Sequence, residues 1–159
     1  MPQRYALAFG QHDGVNGAVQ LVVFDDHASY WVALDLGHER FVAIRHDRVS
    51  RPRDGALLEI RGDGLWAELV CEVPDVHWTF GLEAFGLRLD DRAEASTADV
   101  GERVPVGFDL EWDEGHVVGE ILIGRVRIPF DGTGTFMHGS VVDGDPALAD
   151  WAGWLALPG

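Results

Sequence analysis

The stretch VHWTFGLEAFGLRL, residues 76–89, decides the fold class. Apolar side chains occupy every second position from Val76 to Leu82, which is the period of a β-strand with one face in the core. From Phe85 to Leu89 the alternation continues in the opposite parity. The strand pattern therefore contains one extra residue near Glu83. Either a β-bulge that bends one strand or a tight corner between two strands would accommodate it. Both devices are typical of the corners of a barrel.

The rest of the chain repeats this period in short runs that are separated by glycine, aspartate, asparagine and proline. The pattern predicts an all-β fold, an antiparallel β-barrel of about eight to ten strands that forms a single domain over residues 1–159. The predicted strands are residues 4–9, 18–24, 29–36, 40–45, 56–60, 65–73, 76–89, 104–112, 116–123 and 125–130.

Two segments break the strand pattern. Residues 91–103, DRAEASTADVGER, are polar and without period, so they are predicted to form the longest loop. Near the end, Asp145 suits a helix cap and Pro146 the first helical position. The apolar residues that follow fall on one helical stripe: Leu148, Trp151, Trp154 and Leu155. We therefore expect a short C-terminal helix that packs against the barrel. In one arrangement, this helix would close one mouth of the barrel.

Charge and composition exclude several classes of partner. Twenty-seven acidic residues against twelve basic ones give a net charge of −15, which repels nucleic acids and anionic membranes. No apolar run approaches the roughly 20 residues that span a bilayer. The start, MPQRYALAFGQHDG, lacks the regions of a signal peptide. We therefore expect a cytoplasmic protein with neither a nucleic-acid nor a membrane partner.

The sequence offers no motif for a metal or a cofactor. Cys71 is the single cysteine, and the seven histidines form neither HxH nor HExxH. A phosphate loop, a nucleophile elbow and a GxGxxG fingerprint are all missing. Gly132 and Gly134 form a lone GxG after a strand, where we expect them to supply turn torsions. Neither a metal nor a cofactor is predicted.

Aromatic residues carry the strongest functional signal. Trp78 and Phe80 share one face of their strand, and the chain has six tryptophans. A barrel of about eight strands can just hold one small ligand. The rings either line such a pocket or fill the lumen themselves. The predicted ligand-binding residues are Tyr30, Trp66, Trp78, Phe80, Trp112, Phe136 and Met137.

Two residues are candidates for catalysis, His138 and Glu83. A bulge would turn Glu83 into the cavity, where burial would raise the pKa of its carboxyl and suit it to proton transfer. A solvated outer face is the alternative. His138 follows Phe136 and Met137 at a predicted strand end. It is either a polar group at the rim of an apolar pocket, able to exchange a proton near neutral pH, or a hydrogen-bonded turn histidine.

Three segments within residues 76–151 resemble the lipocalin-like AttH and hydroxyneurosporene-synthase group: VHWTFGLEAFGLRLDD, VPVGFDLEWDEG and HVVGEILIGRVRIPFDGTGTFMHGS. The resemblance implies a lipocalin-like barrel. Members of the group often have two barrel-like halves and include carotenoid hydratases and fungal pericyclases. Their Gly-x-Arg-Asp-His-Ser-Trp-Gly segment corresponds to residues 134–141, which keep His138 but lack the Arg-Asp pair. The resemblance therefore implies a one-barrel version, or a homodimer, without hydration chemistry carried by that pair.

Three functions remain open at this point. The first is a cofactor-independent cyclase of the pericyclase type, which folds an apolar polyene or polyketide-like metabolite in natural-product biosynthesis. The second is a carrier that binds an apolar small molecule without changing it. The third is a structural or interaction protein with a filled lumen. A polar group aimed at a ligand favours the first, and a uniformly apolar pocket favours the second.

Overall fold

A computed structural model describes residues 1–12, 14–37, 40–90, 101–142, 151 and 154. Over these residues the chain is an antiparallel β-barrel, so the predicted fold class is confirmed. The strands are β1 (Gln3–Gly10), β2 (Asn16–Val23), β3 (Ala28–Gly37), β4 (Arg40–Val49), β5 (Leu57–Gly62), β6 (Leu65–Val73), β7 (His77–Leu89), β8 (Glu102–Asp113), β9 (His116–Ile123) and β10 (Val126–Ser140).

The strands form one sheet in the order β4-β3-β2-β1-β10-β9-β8-β7-β6-β5. A further ladder joins β4 to β7, from Phe41 opposite Leu89 to Ala43 opposite Leu87. This ladder closes eight strands, β1 to β4 and β7 to β10, into a barrel. Closure gives these strands partners on both sides, so it removes edges that an open sheet would expose.

β7 changes its partner along its length. The part up to Ala84 pairs with β6, whereas the last residues, from Leu87, pair with β4. The β5–β6 hairpin fits into the fork between β4 and β7, where the N–H of Phe85 donates to the carbonyl of Gly64 at 3.0 Å. At one end, the narrow end, the wall therefore consists of the eight closed strands. At the wide end, where β7 begins and β10 ends, β5 and β6 widen the wall.

The barrel interior is filled by apolar side chains from all ten strands. They occupy alternate positions along each strand, as the period of two predicts. The largest fully buried side chains in this core are Tyr30, Phe80, Leu7, Leu21, Leu34, Ile44, Ile60, Leu69, Leu110 and Ile121. Close packing of this kind makes the interior sensitive to the loss of any one side chain.

The bulge or corner predicted near Glu83 is wrong. The pairing of β7 with β6 and with β8 continues without a shift through Glu83, which lies opposite Trp66 on one side and Gly107 on the other. The apolar alternation changes parity because the outward-facing residues at the end of β7 meet apolar neighbours outside the barrel. Leu89 is 2% exposed there, beneath a second cluster that does not belong to the interior.

This second cluster lies on the outer wall and involves the C-terminal tryptophan pair, Trp151 and Trp154. Both have helical backbone and pack on Trp31, with ring centroids 5.6 and 5.5 Å away. The remaining members of the cluster are Ala33, Phe41, Ala43 and Leu89. The pair thus covers the wall rather than a mouth. Other residues of the expected helix lie outside the described residues, as does most of the predicted loop 91–103.

β10 differs most from its prediction, because it continues from Phe130 to Ser140. Neither Gly132 nor Gly134 has a positive φ, so the expectation of turn glycines is wrong. A Cβ at Gly132 would lie 2.3 Å from the carbonyl oxygen of Gly10. A Cβ at Gly134 would lie 2.7 Å from a methyl carbon of Val117. These glycines are needed because neighbouring strands approach too closely for a side chain.

Candidate functional site

Five aromatic side chains meet at the wide end of the barrel. We call them the rim cluster: Tyr5 on β1, Trp78 on β7, Trp112 on β8, and Phe136 and His138 on β10. His138 lies directly opposite Tyr5, and the two rings stack with centroids 4.3 Å apart. Phe136 contacts Trp78 at 4.7 Å and Trp112 at 5.6 Å. These separations are those of direct ring contact.

Exposure increases across the rim cluster towards the mouth. Trp78 is 5% exposed, Tyr5, Trp112 and Phe136 are half-buried, and His138 is exposed. The indole N–H of Trp112 donates to the carbonyl of Gly134 at 3.0 Å, which fixes the tilt of that ring. Because β10 continues past the start of β9, Phe136 and His138 project beyond the neighbouring strand. The rim cluster therefore presents ring surface to solvent at the mouth.

The polar groups of the rim cluster can donate hydrogen bonds. Burial raises the pKa of the Tyr5 hydroxyl, and the negative charge of Asp54 adds to the shift. Tyr5 is thus protonated at neutral pH and can donate to an acceptor on a bound molecule. His138 offers a ring nitrogen beside it. Cys71, half-buried, lies opposite Trp78 on β6.

His46 is a second interior histidine at the wide end, and no sequence pattern indicated it. It lies opposite Tyr30 across the β3–β4 ladder. A Cβ at Gly62 would lie 3.5 Å from its Nδ1, so β5 approaches it closely. Burial lowers the pKa of His46, whereas the charges of Asp63 and Asp47 act in the opposite direction. The lowered pKa favours the neutral ring in the folded protein.

The lowered pKa of His46 leads to a pH prediction. The unfolded chain binds a proton at His46 more readily than the folded chain does. Its stabilising contribution is therefore present above the ordinary histidine pKa of about 6.5 and is lost as the pH falls from there through the lowered pKa of the folded protein. We expect the free energy of unfolding to decrease less between neutral and mildly acidic pH in His46→Gln than in the natural chain. Urea unfolding across this range measures the difference, and two parallel pH profiles would contradict it.

The structure separates the predicted site residues into an inner and an outer set. Trp78, Phe80, Trp112, Phe136 and His138 face the interior, and Phe80 contacts Phe136 at 5.6 Å. Tyr30 is also interior but is only 1% exposed, deep in the core. Sequence reasoning missed Tyr5, although Tyr5, Leu7 and Phe9 alternate along β1.

The outer set consists of Met137, Trp66 and Glu83. Met137 lies between two inward-facing residues of β10 and is 48% exposed on the outside. Glu83 is exposed, so the expectation that it enters the cavity is wrong, for the same reason that the bulge is absent. Trp66 is its cross-strand neighbour on β6.

Trp66 and Glu83 line an outer groove with a volume of about 530 Å³. Phe85 and Pro105 form its end towards the narrow end of the barrel, and Leu122 on β9 forms the far wall. Gly107 on β8 forms the floor, where no side chain fills the space. The guanidinium carbon of Arg103 lies 4.2 Å from the ring centre of Phe85. The groove is thus mostly apolar with one carboxylate inside it.

Another depression, also of about 530 Å³, lies beside the β1–β2 connection. Its lining is mainly polar and includes Gln11, His12, Asn16 and Thr133. Nearby, His116 Nε2 and Asp131 Oδ1 lie 2.7 Å apart on the exposed surface. Among the described residues, no three or more histidine, cysteine or acidic side chains converge as a metal site.

Comparison with protein-family models, with curated proteins and with solved structures found no match. Across the residues that the structure describes, no helix is both long and apolar enough to cross a membrane.

Proposed function

We propose that the protein binds a small, flat and largely apolar molecule against the rim cluster. The observation that carries this proposal is the stack of Tyr5 and His138 at the mouth, with Phe136 and Trp112 half-buried beside it. Stacked rings that reach solvent at the end of a barrel offer an apolar contact surface to a flat molecule. Tyr5 and His138 supply the few polar groups that orient such a ligand.

Binding without chemistry is the form of this proposal that the geometry supports best. A polar group at the reactive atom of a substrate would favour a cyclase. Of the two expected groups, His138 belongs to the rim cluster, whereas Glu83 lies in the outer groove. Deeper in the barrel, Phe80 and Tyr30 occupy the space in which a long polyene would fold. We therefore place the carrier ahead of the cyclase.

Kinship with the lipocalin-like AttH group stays a proposal that rests on the sequence resemblance, and an antiparallel barrel is compatible with it. That kinship would extend the ligand class to polyene or polyketide-like compounds. A cytoplasmic location and a homodimer remain predictions.

A fluorescent probe tests the site. We expect the neutral, apolar dye N-phenyl-1-naphthylamine to bind saturably, and Phe136→Ala to weaken it about tenfold, or about 1.4 kcal/mol, because ring contacts at the mouth are lost. His138→Ala should also lower the affinity for the dye. Met137→Ala is the matched control, since its side chain lies between these two residues but faces outward. It should leave the affinity of the dye unchanged.

Two outcomes would overturn the proposal. One is an absence of saturable dye binding by protein whose melting curve is cooperative. The other is an equal loss in Met137→Ala and Phe136→Ala. The carrier and the cyclase are then separated by incubating the protein with a mixture of polyenes. A carrier returns the mixture unchanged, and a cyclase alters the product profile.

A further inference from the structure

A row of four residues crosses the outer wall of the barrel, one from each of four adjacent strands. Glu83 on β7 lies opposite both Trp66 on β6 and Gly107 on β8, and Gly107 lies opposite Leu122 on β9. Neighbouring strands are about 4.8 Å apart, so the strands of Glu83 and Leu122 are separated by roughly 10 Å. Gly107 has no side chain to fill that interval. The row therefore leaves a slot over Gly107, between Glu83 and Leu122, that is wide enough for one flat apolar group.

The charge on the side of this slot towards the wide end is negative. Within the part of the chain that the structure describes, the Glu83 carboxylate has no hydrogen-bond or ion-pair partner. Towards the wide end, the next row across the strands reads Glu68, Gly81, Asp109 and Glu120. Only Glu120 in that row has an ionic partner among the described residues, Arg127 at 2.8 Å. Glu83 in the groove, and Glu68 and Asp109 in the next row, thus have no counter-ion among the described residues.

The indole of Trp66 lies among these carboxylates. Its Cζ3 and the Oε1 of Glu68 would both lie 3.5 Å from a Cβ placed on Gly81. Ring and carboxylate therefore lean over the same glycine, and Glu83 lies on the other side of the ring along the row. A cation above an indole face gains from the ring quadrupole, and flanking carboxylates add to that attraction. A negatively charged ligand would be repelled from the same position.

We propose that the outer groove is a second ligand site, which binds an organic cation with an apolar body, such as an aryl-alkyl amine or a quaternary ammonium. The apolar body lies in the slot over Gly107, against Leu122 and Phe85. The cationic group lies over Trp66, between Glu68 and Glu83. Arg103 lies on Phe85 at the opposite end of the groove, and its charge fixes the orientation of the ligand along the groove.

Titration with benzyltrimethylammonium tests the site, with benzyl alcohol as the uncharged probe. The reporter is the indole N–H resonance of Trp66, which distinguishes this groove from the rim cluster. We expect a saturable shift with the ammonium and an affinity about tenfold lower for the alcohol, or about 1.4 kcal/mol. Glu83→Gln should lower the affinity for the ammonium by a similar factor. Glu72→Gln, an exposed carboxylate on the same strand as Trp66 but outside the groove, should leave the affinity unchanged.

The inference is overturned if the two probes bind equally well, since the charge would then play no part. It is also overturned if Glu72→Gln weakens binding as much as Glu83→Gln does, because the ammonium would then respond only to net charge. Phe136→Ala should leave the affinity of the ammonium unaltered. The two proposed sites, in the groove and at the rim cluster, can therefore be disproved independently of each other.

Discussion

Phe80→Ala should lower the free energy of unfolding by about 3–5 kcal/mol, the range for truncating a buried aromatic side chain. Phe80 is 2% exposed inside the barrel and contacts Phe136. For a chain of this size, the melting temperature should fall by roughly 10 °C. Thermal and urea unfolding, followed by circular dichroism, measure both quantities.

Phe85→Ala provides the matched control, because the same residue type lies on the same strand but faces outward. Phe85 is 48% exposed, so its truncation should cost less than about 1 kcal/mol. The comparison also tests the continuous register of β7. With a bulge near Glu83, Phe85 would face the interior and both substitutions would be equally harmful. Equal losses would therefore contradict the observed register.

Gly132→Ala should destabilise the barrel by about 1–3 kcal/mol, or prevent its folding, because a methyl group is forced into packed backbone. The added Cβ would lie 2.3 Å from the carbonyl oxygen of Gly10, so β1 and β10 must move apart. This carbonyl belongs to the strand that closes the sheet against β10. The effect is measured as a shift of the urea midpoint.

Gly139→Ala separates this steric cause from a general effect of glycine replacement. Gly139 lies on the same strand, and a Cβ there would have no neighbour within 4 Å. Its replacement should be neutral or slightly stabilising, since alanine restricts the unfolded chain. If Gly132→Ala were tolerated as well as Gly139→Ala, the close approach of β1 and β10 would be wrong.

The fold could be predicted from the sequence because each strand carries its own period of two and its own turn residues. This reasoning failed where the environment of a face, rather than its periodicity, decides the outcome. Leu87 and Leu89 alternate as regularly as Trp78 and Phe80 do. Leu87 and Leu89 face outward, and Trp151 and Trp154 pack over Leu89, whereas Trp78 and Phe80 face the core. Alternation shows which residues share a face but not which face is inside.

The candidate site was predictable to the same extent. Trp78, Phe80, Phe136 and His138 fall on inward faces, as their spacing allowed. Trp66 and Glu83 required knowledge of the pairing between β6 and β7, which places them together outside the barrel. His46 was not singled out, because the approach of Gly62 from another strand, which contributes to its burial, cannot be seen in its own segment. Contacts between distant segments thus determine which residues come together in a site, and the pattern of a single segment does not show these contacts.

The two seams of the barrel have a consequence for how the chain reaches its folded state. Eight of the ten strand ladders within the described residues join neighbours in sequence, so each can form as a hairpin. The seams β1–β10 and β4–β7 join distant strands, and in the first of them Gln3 pairs with Ser140. Loop-closure entropy opposes such pairs until the intervening chain has collapsed. We therefore expect the meander to assemble first as a curled ribbon and the two seams to limit the rate at which it becomes a barrel.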